Sequence, residues 1–255
     1  MRLMFSRFAA LTAFMSSVWA HMSMISPCPR YSSLGVNCPA LPPGEAIDYN
    51  ESSPIASGGV ALQPFCKYTT PWPTPAARWT AGQSITVDFG SYGSEHDGGM
   101  CEWSLSYDSG KTFVVINQVL GRCFYDAQNN KVFNYTFTLP ANVPGSNSAV
   151  FAWSWVNAMG NREFYMNCAD VVIDGTSESF SGPQMTVLNY PGYPSVPEFM
   201  GNYSTGMEYY NNAPTITVYA NANQTAIATA TATATTAMTS TASDQPQSSP
   251  PSAMV

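Results

Sequence analysis

The stretch Ala149-Val150-Phe151-Ala152-Trp153-Ser154-Trp155-Val156 is apolar at odd and even positions alike. A short run of this kind, rich in aromatic and β-branched side chains, reads as a strand buried on both faces, so it belongs at the centre of a sheet. On either side of it come SITVDFG (84–90), WSLSYD (103–108), FVVINQVL (113–120), VFNYTFTLP (132–140) and EFYMNCADVVI (163–173), with turn residues between them. Within the fourth of these, Phe133, Tyr135, Phe137 and Leu139 alternate with Asn134, Thr136 and Thr138, which gives that strand one wet face. Asp108-Ser109-Gly110-Lys111 has the residues of a hairpin turn. Short strands at this spacing predict an all-β fold, an antiparallel sandwich.

The flanks have a different composition. Residues 1–20, MRLMFSRFAALTAFMSSVWA, place Arg2 and Arg7 before an apolar run and end on Val18 and Ala20, a secretory signal cleaved after Ala20. Residues 21–83 are rich in Pro, Ser and Gly, which predicts long loops held by disulfides against the sandwich. Residues 176–219 set Tyr190, Tyr193, Tyr203, Tyr209 and Tyr210 among Pro and Gly, and read equally as a lash over the core or as a linker leaving it. Residues 220–255 are almost entirely Ala, Thr, Ser, Pro and Asn, too polar to offset the entropy of ordering; they read as a disordered, O-glycosylated tail that serves as a spacer or a wall-embedding segment.

The chain has 255 residues and a net charge of −7, which becomes −9 once Arg2 and Arg7 leave with the signal. So acidic a chain, with so few Lys and Arg, is not built for nucleic acid or for an anionic membrane surface. All six cysteines (Cys28, Cys38, Cys66, Cys101, Cys123 and Cys168) lie after the signal, and no CxxC pair occurs among them. In a secreted chain that favours three disulfides over a metal cluster, with fifteen pairings open. Sequons at Asn50, Asn134, Asn202 and Asn223 agree with passage through a secretory pathway.

The chain has two histidines, and signal cleavage would leave one of them, His21, at the N-terminus. A terminal histidine offers its α-amine and imidazole Nδ1 to one ion in a chelate ring. The other, His96, lies in the Gly-bearing loop SEHDGGMC between two strand-like runs, and its imidazole would complete an all-nitrogen set that suits copper better than zinc, calcium or magnesium. Glu163 and Tyr165 are two residues apart in a strand-like run, so a carboxylate and a phenol share one face. The plainer alternatives are a surface histidine flanked by Glu95 and Asp97, a core tyrosine, and a glutamate paired with Arg162. A Ser/His/Asp triad cannot be assembled if both histidines bind metal, and a two-carboxylate hydrolase leaves the terminal histidine without a role.

HMSMISP (21–27), SEHDGGMCEWSLSYDSGKTF (94–113) and AVFAWSWVNAMGNREFYMNCADVVI (149–173) together resemble the chitin-active fungal lytic polysaccharide monooxygenases of auxiliary activity family 11, over His21 to about Gly175. The resemblance implies an immunoglobulin-like sandwich over residues 21–175 with one copper ion on a flat face. His21 and His96 would form its histidine brace, Tyr165 its axial neighbour, and Glu163 a proton-handling group beside it. It further implies oxidative cleavage of chitin or a related insoluble polysaccharide by a secreted monomer, using an external reductant and dioxygen or hydrogen peroxide. By the family's pattern Cys66 joins Cys168 and Cys101 joins Cys123, which leaves Cys28 with Cys38. The loop departs from the family's Ala-Thr-His-Gly-Gly-Gly-like sequence at Ser94, Glu95 and Asp97, putting two extra acids beside the metal. Two other readings keep the fold: a copper carrier that does not cut glycan, and a non-catalytic wall or spore-surface protein.

Overall fold

In the computed structural model the chain is described at residues 21–56 and 62–220; the expectations for residues 1–20, for the tail beyond Ala220 and for Asn223 lie outside the described residues. The doubly apolar run belongs to a long strand, β7 (Ser146–Asn157), which pairs antiparallel with β8 (Tyr165–Asp174) on one side and β4 (Gly99–Ser106) on the other. Its central position explains its composition, because both faces and both edges are covered. β5 (Val114–Val119) extends the sheet beyond β4, and β2 (Ala77–Thr80) adds a parallel edge on β8, giving the order β2-β8-β7-β4-β5. The β4–β5 turn contains Ser109 and Gly110 at positive φ, and Asp108 Oδ1 accepts the N–H groups of Lys111 at 3.1 Å and Thr112 at 2.9 Å.

The opposing sheet is smaller. β1 (Met24–Ser26), β3 (Ser84–Phe89) and β6 (Asn134–Thr138) pair antiparallel in the order β1-β3-β6. Between the sheets, Met24, Val87 and Phe89 meet Trp103, Phe151, Trp153, Trp155 and Tyr165 in one buried cluster. Register stacks it in rungs, with Trp103 opposite Trp153 and Trp155 opposite Tyr165. Each such side chain taken fully from water contributes about 1.5–3 kcal/mol.

The other face of the five-stranded sheet is covered as well. Met100, Val150, Ala152, Val156 and Met166 pack against Ile55 and Phe164 and against Met185, Val187, Leu188, Phe199 and Tyr210 of the segment after β8. That segment contains β9 (Ser179–Pro183), the short helix α1 (Met207–Asn211) and β10 (Thr215–Tyr219), with β9 and β10 paired antiparallel as a two-stranded sheet. Residues 185–210 are thus a layer on this face, with apolar residues spaced by turns and so without legible periodicity, while Phe180 of β9 and Ile216 and Val218 of β10 join the cluster between the sheets. Disulfides join Cys28 to Cys38, Cys66 to Cys168 and Cys101 to Cys123. Cys66–Cys168 closes the longest loop, 102 residues, worth about 5 kcal/mol of unfolded-chain entropy.

Candidate metal centre

His21 is held in place by the residues that follow it. Met22 and Met24 are buried in the sandwich, and Ser23 between them is buried on the polar side. The Ser23 hydroxyl donates to Glu51 Oε1 at 2.9 Å, the Met24 N–H donates to Asn167 Oδ1 at 3.0 Å, and Asn167 Nδ2 donates to the Glu51 carbonyl at 3.2 Å. Asn167 lies on β8 opposite Trp153, so the N-terminal segment is fastened to the strand that carries Tyr165. Gly93 approaches from the side: a Cβ there would lie 2.3 Å from the His21 carbonyl oxygen, so that loop can come this close only without a side chain.

His96 is placed by a strained turn at the start of β4. His96 (φ 44°), Asp97 (φ 58°), Gly98 (φ 94°) and Gly99 (φ 125°) are four consecutive positive-φ residues, a path that L side chains rarely follow. A Cβ at Gly99 would sit 2.1 Å from the Val156 carbonyl oxygen. Backbone bonds fix the turn to the end of β7: Met159 N–H donates to the His96 carbonyl at 2.9 Å and Ala158 N–H to the Gly98 carbonyl at 3.0 Å, which also accepts Trp155 Nε1–H at 3.1 Å. Asn157 Nδ2 donates to the carbonyls of Met159 and Asn161, at 2.8 and 2.9 Å, and so shapes the loop that wraps the imidazole. Gly160 (φ 96°) leaves room there, since its Cβ would lie 3.1 Å from His96 Nδ1.

The two imidazoles stack with ring centroids 5.2 Å apart and an interplanar angle of 13°. Tyr165, fully buried, lies beneath them, 5.2 Å from the His21 ring and 4.6 Å from the Trp155 ring. Glu163, just before β8, accepts the Tyr165 hydroxyl at 2.5 Å through Oε2, which is also 3.8 Å from His21 Nε2. Burial, reinforced by the bond to Glu163, pushes the Tyr165 phenol well above its ordinary value, so it stays protonated and donates. Burial lowers the His21 imidazole; Glu163 opposes that and His96 adds to it, leaving a neutral ring. Arg162 does not pair with Glu163. Its guanidinium donates to the carbonyls of Asn157, Gly160 and Pro197 and holds the wrapping loop.

His21, His96 and Glu163 present ligand atoms all within 4.8 Å of one another. His96 Nε2 is buried with no hydrogen-bond partner among the described residues, and a buried polar nitrogen left bare is costly unless something binds it. A nitrogen-donor pair with a buried ring nitrogen left without a partner fits a borderline transition metal such as copper. The acids flanking His96 are not idle charge beside the metal. Glu95 Oε1 lies 2.9 Å from Lys131 Nζ, and Asp97 Oδ2 accepts the Tyr203 hydroxyl at 2.7 Å. Neither partner, nor Asn157, Asn167 and Gly160, is marked by sequence spacing, since all of them act through loops brought together by the fold. Asn50, Asn134 and Asn202 are exposed. Among the described residues no helix is long and apolar enough to cross a membrane.

No family model matches the chain. It is 42% identical over 178 residues, covering 67% of this chain and 74% of the relative, to AA11 family lytic polysaccharide monooxygenase A of Aspergillus fumigatus. It is 30% identical over 176 residues to an AA11 family lytic polysaccharide monooxygenase of Aspergillus oryzae, covering 64% of this chain and only 37% of that relative. Among solved structures it is similar to a cellulose-active polysaccharide monooxygenase from M. thermophila, at 13% identity and TM-score 0.40, over 56% of this chain and 73% of that one. A glycoside hydrolase family 61 member from Hypocrea jecorina aligns at 16% identity and TM-score 0.31, over 40% of this chain and 52% of that one. By its likeness to the first of these relatives, the chain belongs to auxiliary activity family 11, the copper-dependent lytic polysaccharide monooxygenases.

Proposed function

We propose that the processed chain, beginning at His21, holds one copper ion through His21 and His96 and oxidatively cleaves chitin outside the cell. The observation that carries this reading is the buried His96 Nε2, without a hydrogen-bond partner among the described residues, on a ring stacked with that of His21. When bound, copper supplies the one-electron chemistry with dioxygen or hydrogen peroxide that no side chain here has. Overall, a C–H beside the glycosidic oxygen becomes C–OH and the second oxygen atom leaves as water; dioxygen requires two electrons and two protons from outside for this, hydrogen peroxide none. The hydroxylated carbon then becomes a carbonyl as its bond to the glycosidic oxygen breaks, the hydroxyl proton going to that departing oxygen, and the chain is cut.

The protein's own groups have separable tasks. His21 and His96 donate neutral ring nitrogens; the α-amine freed by cleavage would add a third. Tyr165 closes the buried side and keeps its proton on the phenol oxygen, directed at Glu163 Oε2. Among the described residues Glu163 is the carboxylate grouped with the two histidines, placed to accept or return a proton at Oε2. Exposed Tyr92 lies in the loop pressed on His21, and exposed Met159 follows the bond to the His96 carbonyl. These broad, weakly polar side chains suit the faces of sugar rings on an insoluble polymer. Glycosylation at Asn50, Asn134 and Asn202 belongs to the same reading, as does secretion after removal of residues 1–20.

The test is mass spectrometry of soluble products after copper-loaded, processed protein is incubated with β-chitin and ascorbate, with cellulose in parallel and a no-reductant control. Reductant-dependent oxidised chito-oligosaccharides are expected. Oxidised cello-oligosaccharides alone would reassign the substrate, and tight copper binding without products from either polymer would favour the copper carrier.

A further inference from the structure

The two acids that flank His96 have partners far along the chain. Asp97 accepts the hydroxyl of Tyr203, in the layer after β8, and Glu95 meets Lys131, in the loop before β6. Tyr203 is itself held. The Arg122 guanidinium lies 4.4 Å from its ring centroid and 4.9 Å from that of Tyr125, and a Cβ at Gly121 would come within 2.7 Å of the Tyr203 carbonyl oxygen. The same layer grips the other side of the imidazole. Glu198 Oε1 accepts the Gly160 N–H at 2.7 Å and the Phe199 N–H donates to the Ala158 carbonyl at 2.9 Å.

His96 and Asp97 are consecutive non-glycine residues at φ 44° and 58°, a conformation that persists only where its surroundings over-determine it. The turn is thus clasped from Tyr203 at Asp97, from Lys131 at Glu95 and from Glu198 at Gly160, the residue against His96 Nδ1. We infer that Tyr203 and Lys131 are positioning residues for His96, and that Glu95 and Asp97 act as anchors for the turn, not as charges offered to the metal or to substrate. The His96 end of the metal site therefore depends on residues 196–206, outside the sandwich. This inference rests on the copper reading only for its metal arm.

The experiment compares wild type, Tyr203→Phe, Asp97→Ala and Asp97→Asn in the processed full chain. In the apo protein, hydrogen exchange followed by mass spectrometry reads residues 95–99 and 157–160. In the copper-loaded protein, the copper dissociation rate and the electron paramagnetic resonance spectrum are read. Losing a hydrogen bond to a carboxylate should speed exchange in both segments about tenfold and copper release by a similar factor, with a changed copper hyperfine splitting. Tyr203→Phe and Asp97→Ala should behave alike, while Asp97→Asn, which keeps an acceptor oxygen, should stay near wild type. Melting temperatures should hardly move, so an unfolded variant is recognised at once and Asp97→Asn then decides: wild-type exchange supports the clasp, Ala-like exchange overturns it. Unchanged exchange in Tyr203→Phe overturns the inference, as does faster exchange with unaltered copper release and spectrum. A wild type that binds no copper would sink the copper reading, while the exchange arm would still decide the clasp.

Discussion

The five-stranded sheet has two covered faces, and each supports one of the two histidines by different means. On the sandwich face, the segment leading from His21 into β1 is tied down by Ser23, Glu51 and Asn167, ordinary hydrogen bonds over an aromatic core. On the other face, the layer from 185 to 210 presses its apolar residues on the sheet and clasps the strained turn of His96. The first support is built on core burial and is stiff. The second relies on loop-to-loop bonds at the surface, so it is the half through which sequence change or solution conditions should most readily disturb the metal site.

The largest effect is expected at the turn itself. Gly99→Ala would need a Cβ 2.1 Å from the Val156 carbonyl at φ 125°, costing about 4 kcal/mol and moving His96. Chemical denaturation with copper binding measured on the same sample checks it. A variant as stable and as tight for copper as wild type would show that the turn can relax elsewhere.

Next is the stiff half. Asn167→Ala leaves the buried Met24 N–H without its acceptor and should cost about 2–3 kcal/mol. Its signature is local, with faster hydrogen exchange at residues 22–24 and little change at 95–99. Equal loosening of both segments would mean that the two supports are not separate.

A pH-dependent effect separates the faces further. Glu102 is buried on the layer side, where Oε2 accepts the Thr186 N–H at 2.7 Å, and burial pushes its carboxyl up to about 8. Between its ordinary value near 4.5 and about 8 the folded protein keeps this proton and the unfolded chain does not. The raised group therefore costs stability as pH rises through that interval, levelling off above the folded value. Glu102→Gln should remove that slope and be more stable than wild type at pH 8 but not at pH 4. Parallel stability curves for the two proteins over that range would mean that Glu102 ionises normally.

The same division explains what the sequence revealed. β7 was legible because a strand covered on both faces is apolar at odd and even positions through most of its length, and β6 because its wet face alternates. β2 was not, as four residues in a Pro-rich stretch carry no period, and its parallel pairing with β8 is a tertiary fact. β9 and β10 alternate but are only five residues long each among Pro and Gly, and α1 is a single short helix whose one buried residue, Tyr210, packs on the sheet beneath, so none of them stood out. At the metal site, the terminal histidine, the His96 loop and the Glu163–Tyr165 spacing stood out because each is short-range. Asn167, Asn157, Tyr203 and Lys131 contribute by contacts across 30 residues or more, or by loop shape, and have no local mark.

The central claim is that His21 and His96 together bind one copper ion through neutral nitrogens. Electron paramagnetic resonance of processed protein loaded with one equivalent of copper(II), beside His96→Ala, tests it most directly. The account predicts one axial species with three nitrogen couplings in wild type, and in His96→Ala a weaker-binding species with one nitrogen fewer. Identical spectra and affinities in the two proteins would contradict it.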